Sequence, residues 1–143
     1  MSTEIQPYLF FGGRCTEALD FYTNALGAKV EMLMRFDESP MPVPEGMLAA
    51  GFEKKVMHSS FVVNGARVMA SDGCRAEDGG FHGFSLVYST ASEDEARRVF
   101  AALSEGGAVN MPLAKTFWSP CYGMVKDKFD VSWQVMVPGG APA

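Results

Sequence analysis

The spacing of apolar residues switches from a strand period to a helical period and back, and then does so again. Residues 8–11 (Tyr8, Leu9, Phe10, Phe11) form a continuous apolar run closed by Gly12 and Gly13, which predicts a buried strand ending in a turn. Ala18, Leu19, Tyr22, Ala25 and Leu26 then recur at three- and four-residue steps, with Gly27 in the stop position. That spacing predicts an amphipathic helix of about three turns. No Ser/Thr-x-x-Glu box precedes it, so no N-cap is legible. Residues 29–36 put Val30, Met32 and Met34 on one face of a strand. Pro40, Pro42 and Pro44 follow, and three prolines so close together fit neither a central strand nor a helix interior. A loop of about 15 residues is predicted here, either a lid or a plain surface connection. Residues 55–64 alternate, with Met57, Ser59, Phe61 and Val63 on one face and His58, Ser60 and Val62 on the other. Asn64-Gly65 is a strong hairpin signal, residues 67–71 form the return strand, and the glycine-rich stretch 72–80 is a loop.

The second half repeats the order. Residues 84–89 predict a strand. Ser92 to Glu95 is a capping box in which Glu95 can reach back to the Ser92 amide. Ala96, Val99, Phe100 and Leu103 follow at helical spacing, Gly106-Gly107 ends the helix, and strands are predicted over 109–117, 122–126 and 131–137. The helical stripes beginning at Ala18 and Ala96 lie 78 residues apart. Two βαβββ units imply an internal duplication, with pseudo-repeats at about 5–72 and 80–138 inside one domain, 1–143. The predicted class is α+β: a cupped, eight-stranded mixed sheet that curls around a cavity, with helices on the outer face. A hollow of that kind suits a small-molecule ligand.

Composition narrows the partners. At 143 residues, 48% hydrophobic and 20% charged, the chain fits one globular domain with a core of its own. The formal net charge of -5 disfavours nucleic acid or an anionic membrane surface, since both require a basic face. The N-terminal residues lack a basic start followed by an apolar core, and no apolar run approaches a bilayer span. Cys15, Cys74 and Cys121 are odd in number and widely spaced, with no Cys-x-x-Cys pair, so a reducing cytoplasm is the simplest setting. Cys121 has no legible base or cation beside it and reads as an incidental thiol. Ten methionines supply flexible thioethers that fill core gaps or line adaptable pockets.

Several segments carry a family resemblance. They are Pro7 to Phe11, Ala18 to Tyr22 with Leu26-Gly27-Ala28, Val56-Met57-His58, and Val68 to Asp72. In the second half they are Phe84 to Leu86, Glu105-Gly106-Gly107, Met111-Pro112-Leu113, Thr116-Phe117-Trp118, Tyr122 to Asp127 and Val131-Ser132-Trp133. Together they resemble the PhnB-like branch of the vicinal-oxygen-chelate (glyoxalase/bleomycin-resistance/dioxygenase) superfamily over nearly the whole chain. The resemblance implies paired βαβββ units, frequent dimerisation and a cleft in the cupped sheet. In metal-dependent members a divalent ion chelates two neighbouring substrate oxygens and acts as a Lewis acid. Other members bind drugs without a metal. The branch has also carried a demethylubiquinone methyltransferase label, but no Gly-x-Gly-x-x-Gly loop follows a strand here, so no methyl-donor nucleotide site is legible.

The superfamily takes its metal ligands from the first and last strands of each unit. The resemblance puts Tyr8, Met69, either His82 or Phe84, and Gln134 at those positions. A hard cation favours anionic oxygen, and a thioether and a neutral amide do not supply it. No cofactor is therefore expected, and a divalent metal could draw only on the weak candidates His82 and Gln134. His58 and Asp72 are the candidate catalytic pair: a carboxylate beside an imidazole fixes its tautomer and raises its basicity. Alternatively, His58 is hydrogen-bonded within the sheet and Asp72 makes an Asx turn before Gly73. Trp133 shares a face with Val131, Val135 and Val137, whereas Ser132, Gln134 and Met136 face the other way and mix polar with apolar, as a cavity lining does. The candidate ligand-binding residues are Tyr8, Ser60, Met69, Trp118, Ser132 and Gln134. Three functions remain open: a small-molecule-binding PhnB-like protein, a metal-dependent lyase, isomerase or dioxygenase acting on a small oxygenated metabolite, and a sequestering module without catalysis. The expected partners are a small molecule and a second copy of the chain.

Overall fold

The computed structural model describes residues 3–41 and 43–139. Its order is β1 (Tyr8–Phe10), α1 (Cys15–Leu26), β2 (Lys29–Arg35), β3 (Val56–Val63) and β4 (Ala66–Ser71), followed by β5 (Leu86–Ser89), α2 (Glu93–Ser104), β6 (Ala108–Ala114), β7 (Cys121–Lys126) and β8 (Ser132–Val137). The chain divides into two compact units, Met1–Gly80 and Phe81–Ala143. The eight strands form two four-stranded sheets, ordered β1-β4-β3-β2 and β5-β8-β7-β6. In each sheet the first pair is parallel and the others antiparallel, so one mixed topology is used twice and the class is α+β. Among the described residues, no helix is long and apolar enough to cross a membrane.

In the first unit, α1 buries Cys15, Ala18, Leu19, Tyr22, Ala25 and Leu26, the stripe predicted from spacing with Cys15 added. Gly27 ends the helix at φ 69°, a left-handed conformation that glycine adopts without a Cβ penalty. Tyr22 stacks on Phe61 with ring centroids 5.8 Å apart, so α1 covers the face of β3 that carries Ser59 and Phe61. The β3–β4 hairpin turns at Asn64 (φ 48°) and Gly65 (φ 86°), where both central residues have the positive φ of a type I′ turn. The proline-containing stretch is tied down at several points. Asp37 N–H donates to Glu53 O at 2.9 Å, and Ala49 N–H donates to Cys74 O at 2.8 Å.

In the second unit, α2 buries Ala96, Val99, Phe100 and Leu103 against β7 and β8. Ser92 Oγ accepts the Glu95 amide, but the reciprocal half of the predicted capping box is not made. The Glu95 carboxylate instead takes Arg98 and the Tyr88 hydroxyl, and the Ser92 amide turns to Thr90 Oγ1. A charged partner one turn along the helix outcompetes a backbone amide for that carboxylate. β6 stops at Ala114 rather than Phe117, because Thr116 Oγ1 accepts the amides of Trp118 and Ser119 and folds this segment into a local turn.

Candidate functional site: the helix-free faces of the two sheets

Side chains alternate along a strand, so each sheet has a helix-covered face and an opposite face. In the first sheet, register puts Tyr8 opposite Met69, Met69 opposite Ser60, Ser60 opposite Met32, and His58 opposite Met34. Phe10 shares Tyr8's side of β1. This helix-free face is therefore built from rings, thioethers and few polar groups. Its rim stays accessible, with Tyr8 38%, Phe10 42% and Met32 40% exposed. In the second sheet, Gln134 lies opposite Met124 and Val87, and Met136 lies opposite Tyr122. Ser132, Gln134 and Met136 are half-buried, while Trp133, Val135 and Val137 are buried on the helix side, as the alternation predicts.

Two pairs of polar groups on these faces are hydrogen-bonded. Tyr8 Oη and His58 Nδ1 lie 2.9 Å apart. β4 separates their strands, so the phenol spans a strand to reach the imidazole. Burial pushes the Tyr8 phenol above its ordinary range. In the second unit, Tyr122 Oη donates to Gln134 Oε1 at 2.7 Å. Trp118 sits in the loop before β7, 38% exposed, with its ring edge-on to Tyr122 at 5.3 Å and Phe117 beyond it.

The predicted His58–Asp72 pair is not formed, and alternation explains why. His58 lies on the helix-free face, whereas Asp72 continues the Ala70 side of β4 beneath α1. The Asp72 carboxylate is 1% exposed and accepts three backbone N–H groups. Gly13 and Cys15 donate to Oδ1 at 2.8 Å each, and Val56 donates to Oδ2 at 2.9 Å. Asp72 is therefore the missing N-cap of α1, supplied from 57 residues away. It does not make the Asx turn either, since the Cys74 amide, two residues on, donates to Asp78 Oδ2 instead. The same carboxylate occupies the positive end of a helix that follows a strand and a Gly12-Gly13 turn, the place where a phosphate would otherwise sit. In the second unit α2 is capped by its own Ser92, and the buried Asp127 carboxylate instead holds the turn after β7, accepting Phe129 N, Val131 N and Trp133 Nε1.

The metal positions can now be tested against the register. In the first unit they are Tyr8 opposite Met69; the matching pair in the second is Val87 opposite Gln134. His82 is exposed and lies outside the strands, as does Phe84, so neither holds the position read for it from sequence. The parallel pairing of β5 with β8 begins at Leu86 and puts an apolar residue there. A phenol bonded to a histidine, a thioether, a valine and an amide oxygen already taken by Tyr122 do not fit a hard divalent ion. Among the described residues, no three His, Cys, Asp or Glu side chains come together as a metal site.

Sequence reasoning missed Phe10, Val87 and Tyr122 as lining residues. Strand parity alone would have identified the first and third. A separate open pocket of about 280 Å³ lies in the loop that follows β2, lined by Phe36, Asp37, Val43, Pro44, Leu48 and Glu53 among others, and it contains none of the predicted site residues.

Comparison with known proteins agrees with this architecture. The profile of the family described as 3-demethylubiquinone-9 3-methyltransferase matches residues 3–136. Protein YjdN of Escherichia coli (strain K12) is 31% identical over 140 residues, covering 93% of this chain and 94% of its own. The crystal structure of PA1353 from Pseudomonas aeruginosa is 39% identical with a TM-score of 0.84, covering 97% of this chain and 100% of that one. A PhnB protein from Bacillus cereus is 30% identical with a TM-score of 0.78, covering 94% and 99%. At the level of fold alone, a glyoxylase/bleomycin resistance protein/dioxygenase domain from Frankia sp. EAN1pec superposes with a TM-score of 0.61 at 16% identity, covering 96% and 98%.

Proposed function

Since this chain belongs to the 3-demethylubiquinone-9 3-methyltransferase family, we propose that it is a PhnB-like small-molecule-binding protein of the glyoxalase/bleomycin-resistance superfamily, whose fold it shares. In this reading the ligand lies on the helix-free sheet faces. One observation carries it: half-accessible aromatic and methionine side chains are gathered on those faces, while the aliphatic core lies on the helix side. Exposed rings and thioethers keep apolar contact area available to a ligand, and a few fixed polar groups orient it. The ligand-facing residues are Tyr8, His58, Ser60 and Met69 in the first unit, and Trp118, Ser132 and Gln134 in the second. Asp72 leaves the candidate list because its carboxylate is committed to backbone amides.

The reading is tested by titrating protein labelled at its methionine methyls with a panel of small, neutral, oxygenated ring compounds. Binding on these faces shifts Met32, Met34 and Met69, or Met111, Met124 and Met136, and leaves the exposed loop residues Met41 and Met47 unmoved. Shifts confined to Met41 and Met47, or none at all, would overturn it. We also propose that two copies associate, because β2 and β6 are edge strands whose side chains are largely exposed, and such edges recruit partners. Sedimentation equilibrium reads this directly: a monomer at all concentrations would count against it.

A further inference from the structure

We propose that the Tyr8–His58 couple recognises an oxygen atom, with His58 Nε2 donating a hydrogen bond to the carbonyl of a flat, conjugated ligand stacked on the Tyr8–Phe10–His58 ring array. This rests on the reading that the helix-free face of the first sheet binds small molecules, and it names the chemistry of the ligand there. The superfamily's ligand positions suggest oxygen recognition by a metal. This chain carries donors that do not fit one, and a hydrogen-bonded couple stands there instead.

The proton inventory of the couple fixes what it offers. A neutral imidazole has one N–H and one lone pair. Tyr8 Oη is 2.9 Å from Nδ1, and burial keeps the phenol protonated at neutral pH; in the tautomer we assign, the phenol donates to the Nδ1 lone pair. The imidazole proton then resides on Nε2. That atom presents a donor, and a donor selects an acceptor oxygen. The neighbours across the ladder from His58 and Ser60 are Met34, Met32 and Met69, whose thioethers are poor hydrogen-bond partners but adapt in shape.

Ring geometry supplies the second half. Tyr8 and Phe10 have centroids 5.0 Å apart at 31°, and Tyr8 and His58 have centroids 5.6 Å apart, also at 31°. Three moderately inclined rings, two of them about 40% exposed, leave ring surface on which another flat ring can stack with an offset. The tyrosine couple of the second unit, Tyr122–Gln134, lacks this shallow inclination of neighbouring rings. Its neighbours meet edge-on, at 72° between Trp118 and Tyr122 and 82° between Phe117 and Trp118.

Five measurements test the proposal, each read on the Met32, Met34 and Met69 methyls and, wherever the imidazole is present, on the His58 Nε2 nitrogen shift. Acetophenone supplies a flat ring with a carbonyl. α-Methylstyrene has the same shape without the oxygen, and cyclohexyl methyl ketone has the oxygen without the flat ring. The fourth is His58→Phe, which keeps a ring and deletes the donor. Acetophenone is expected to bind roughly fivefold more tightly than either analogue and to move the His58 Nε2 resonance. His58→Phe is expected to weaken acetophenone by a similar factor and to leave α-methylstyrene unchanged. Tyr8→Phe keeps the ring and frees the tautomer, so it should move the His58 resonance in the absence of any ligand. If α-methylstyrene matches acetophenone, or if His58→Phe weakens both equally, oxygen recognition is overturned while the binding face stands. Equal binding by cyclohexyl methyl ketone overturns the stacking requirement. If no probe moves the three methyls, the binding face and the proposal fail together.

Discussion

Asp72 shows how far single residues could be read from this chain. Its position beside the return strand was legible, and so was the possibility of a carboxylate near His58. Its role was not, because that depended on which face of β4 it lies on and on a helix start that carries no cap of its own. Each side of the gap answers the other: α1 lacks a local N-cap, and Asp72 supplies one to Gly13 and Cys15 while also holding Val56. Asp72→Asn should therefore act on stability. An amide can serve the α1 amides through its oxygen, but its NH2 then faces the Val56 N–H, donor against donor. A loss on the order of 2–4 kcal/mol is expected, read as a lower urea midpoint. The His58 ring resonances should stay unchanged. A variant of near-normal stability with a displaced His58 titration would instead restore the catalytic pairing.

At the scale of elements, type and order were legible because the periods are clean, and most strands fall within one or two residues of their predicted bounds. Two details were not. The parallel β5–β8 register sets Val87, and not His82, opposite Gln134, and no local pattern specifies a parallel partner's register. The end of β6 depended on Thr116 capturing two amides. A third feature was invisible in sequence: α2 lies so close to β7 that a Cβ on Gly123 would stand 2.9 Å from a Phe100 ring carbon and 3.0 Å from the Met111 carbonyl oxygen. Gly123→Ala is expected to cost about 1–3 kcal/mol by overpacking. Phe100→Leu in the same chain should recover part of that cost, so the two changes should prove non-additive in a double-mutant cycle. Additive losses would show that the close approach is not what fixes glycine there.

For the molecule as a whole, the clearest dependence on solution conditions lies on the alkaline side, and it starts from a residue with no proposed chemistry. Cys15 is wholly buried at the start of α1, with Ser59 Oγ 3.8 Å from its sulfur. Burial, reinforced by the Asp72 carboxylate, pushes its thiol from 9.0 up to about 12. The sign follows from linkage. Below pH 9 the thiol is protonated in both the folded and the unfolded chain and contributes nothing to the pH slope. Between about pH 9 and 12 the unfolded chain releases the proton and the folded chain retains it, so the equilibrium moves toward unfolding as pH rises. Tyr8, also shifted upward, acts in the same direction. Three pH units correspond to a loss on the order of 4 kcal/mol across that window from the thiol. Other groups titrate there too, so the informative quantity is the stability difference between wild type and Cys15→Ala. That difference should be flat from pH 6 to 8 and shrink steadily above pH 9, with wild type losing the advantage of its buried sulfur as hydroxide rises. Ellman's reagent should report the same state, with Cys15 unreactive at pH 8 until the chain is unfolded. A difference that stays constant to pH 11, or rapid labelling of Cys15 in the folded protein, would mean that the thiolate is tolerated beside Asp72.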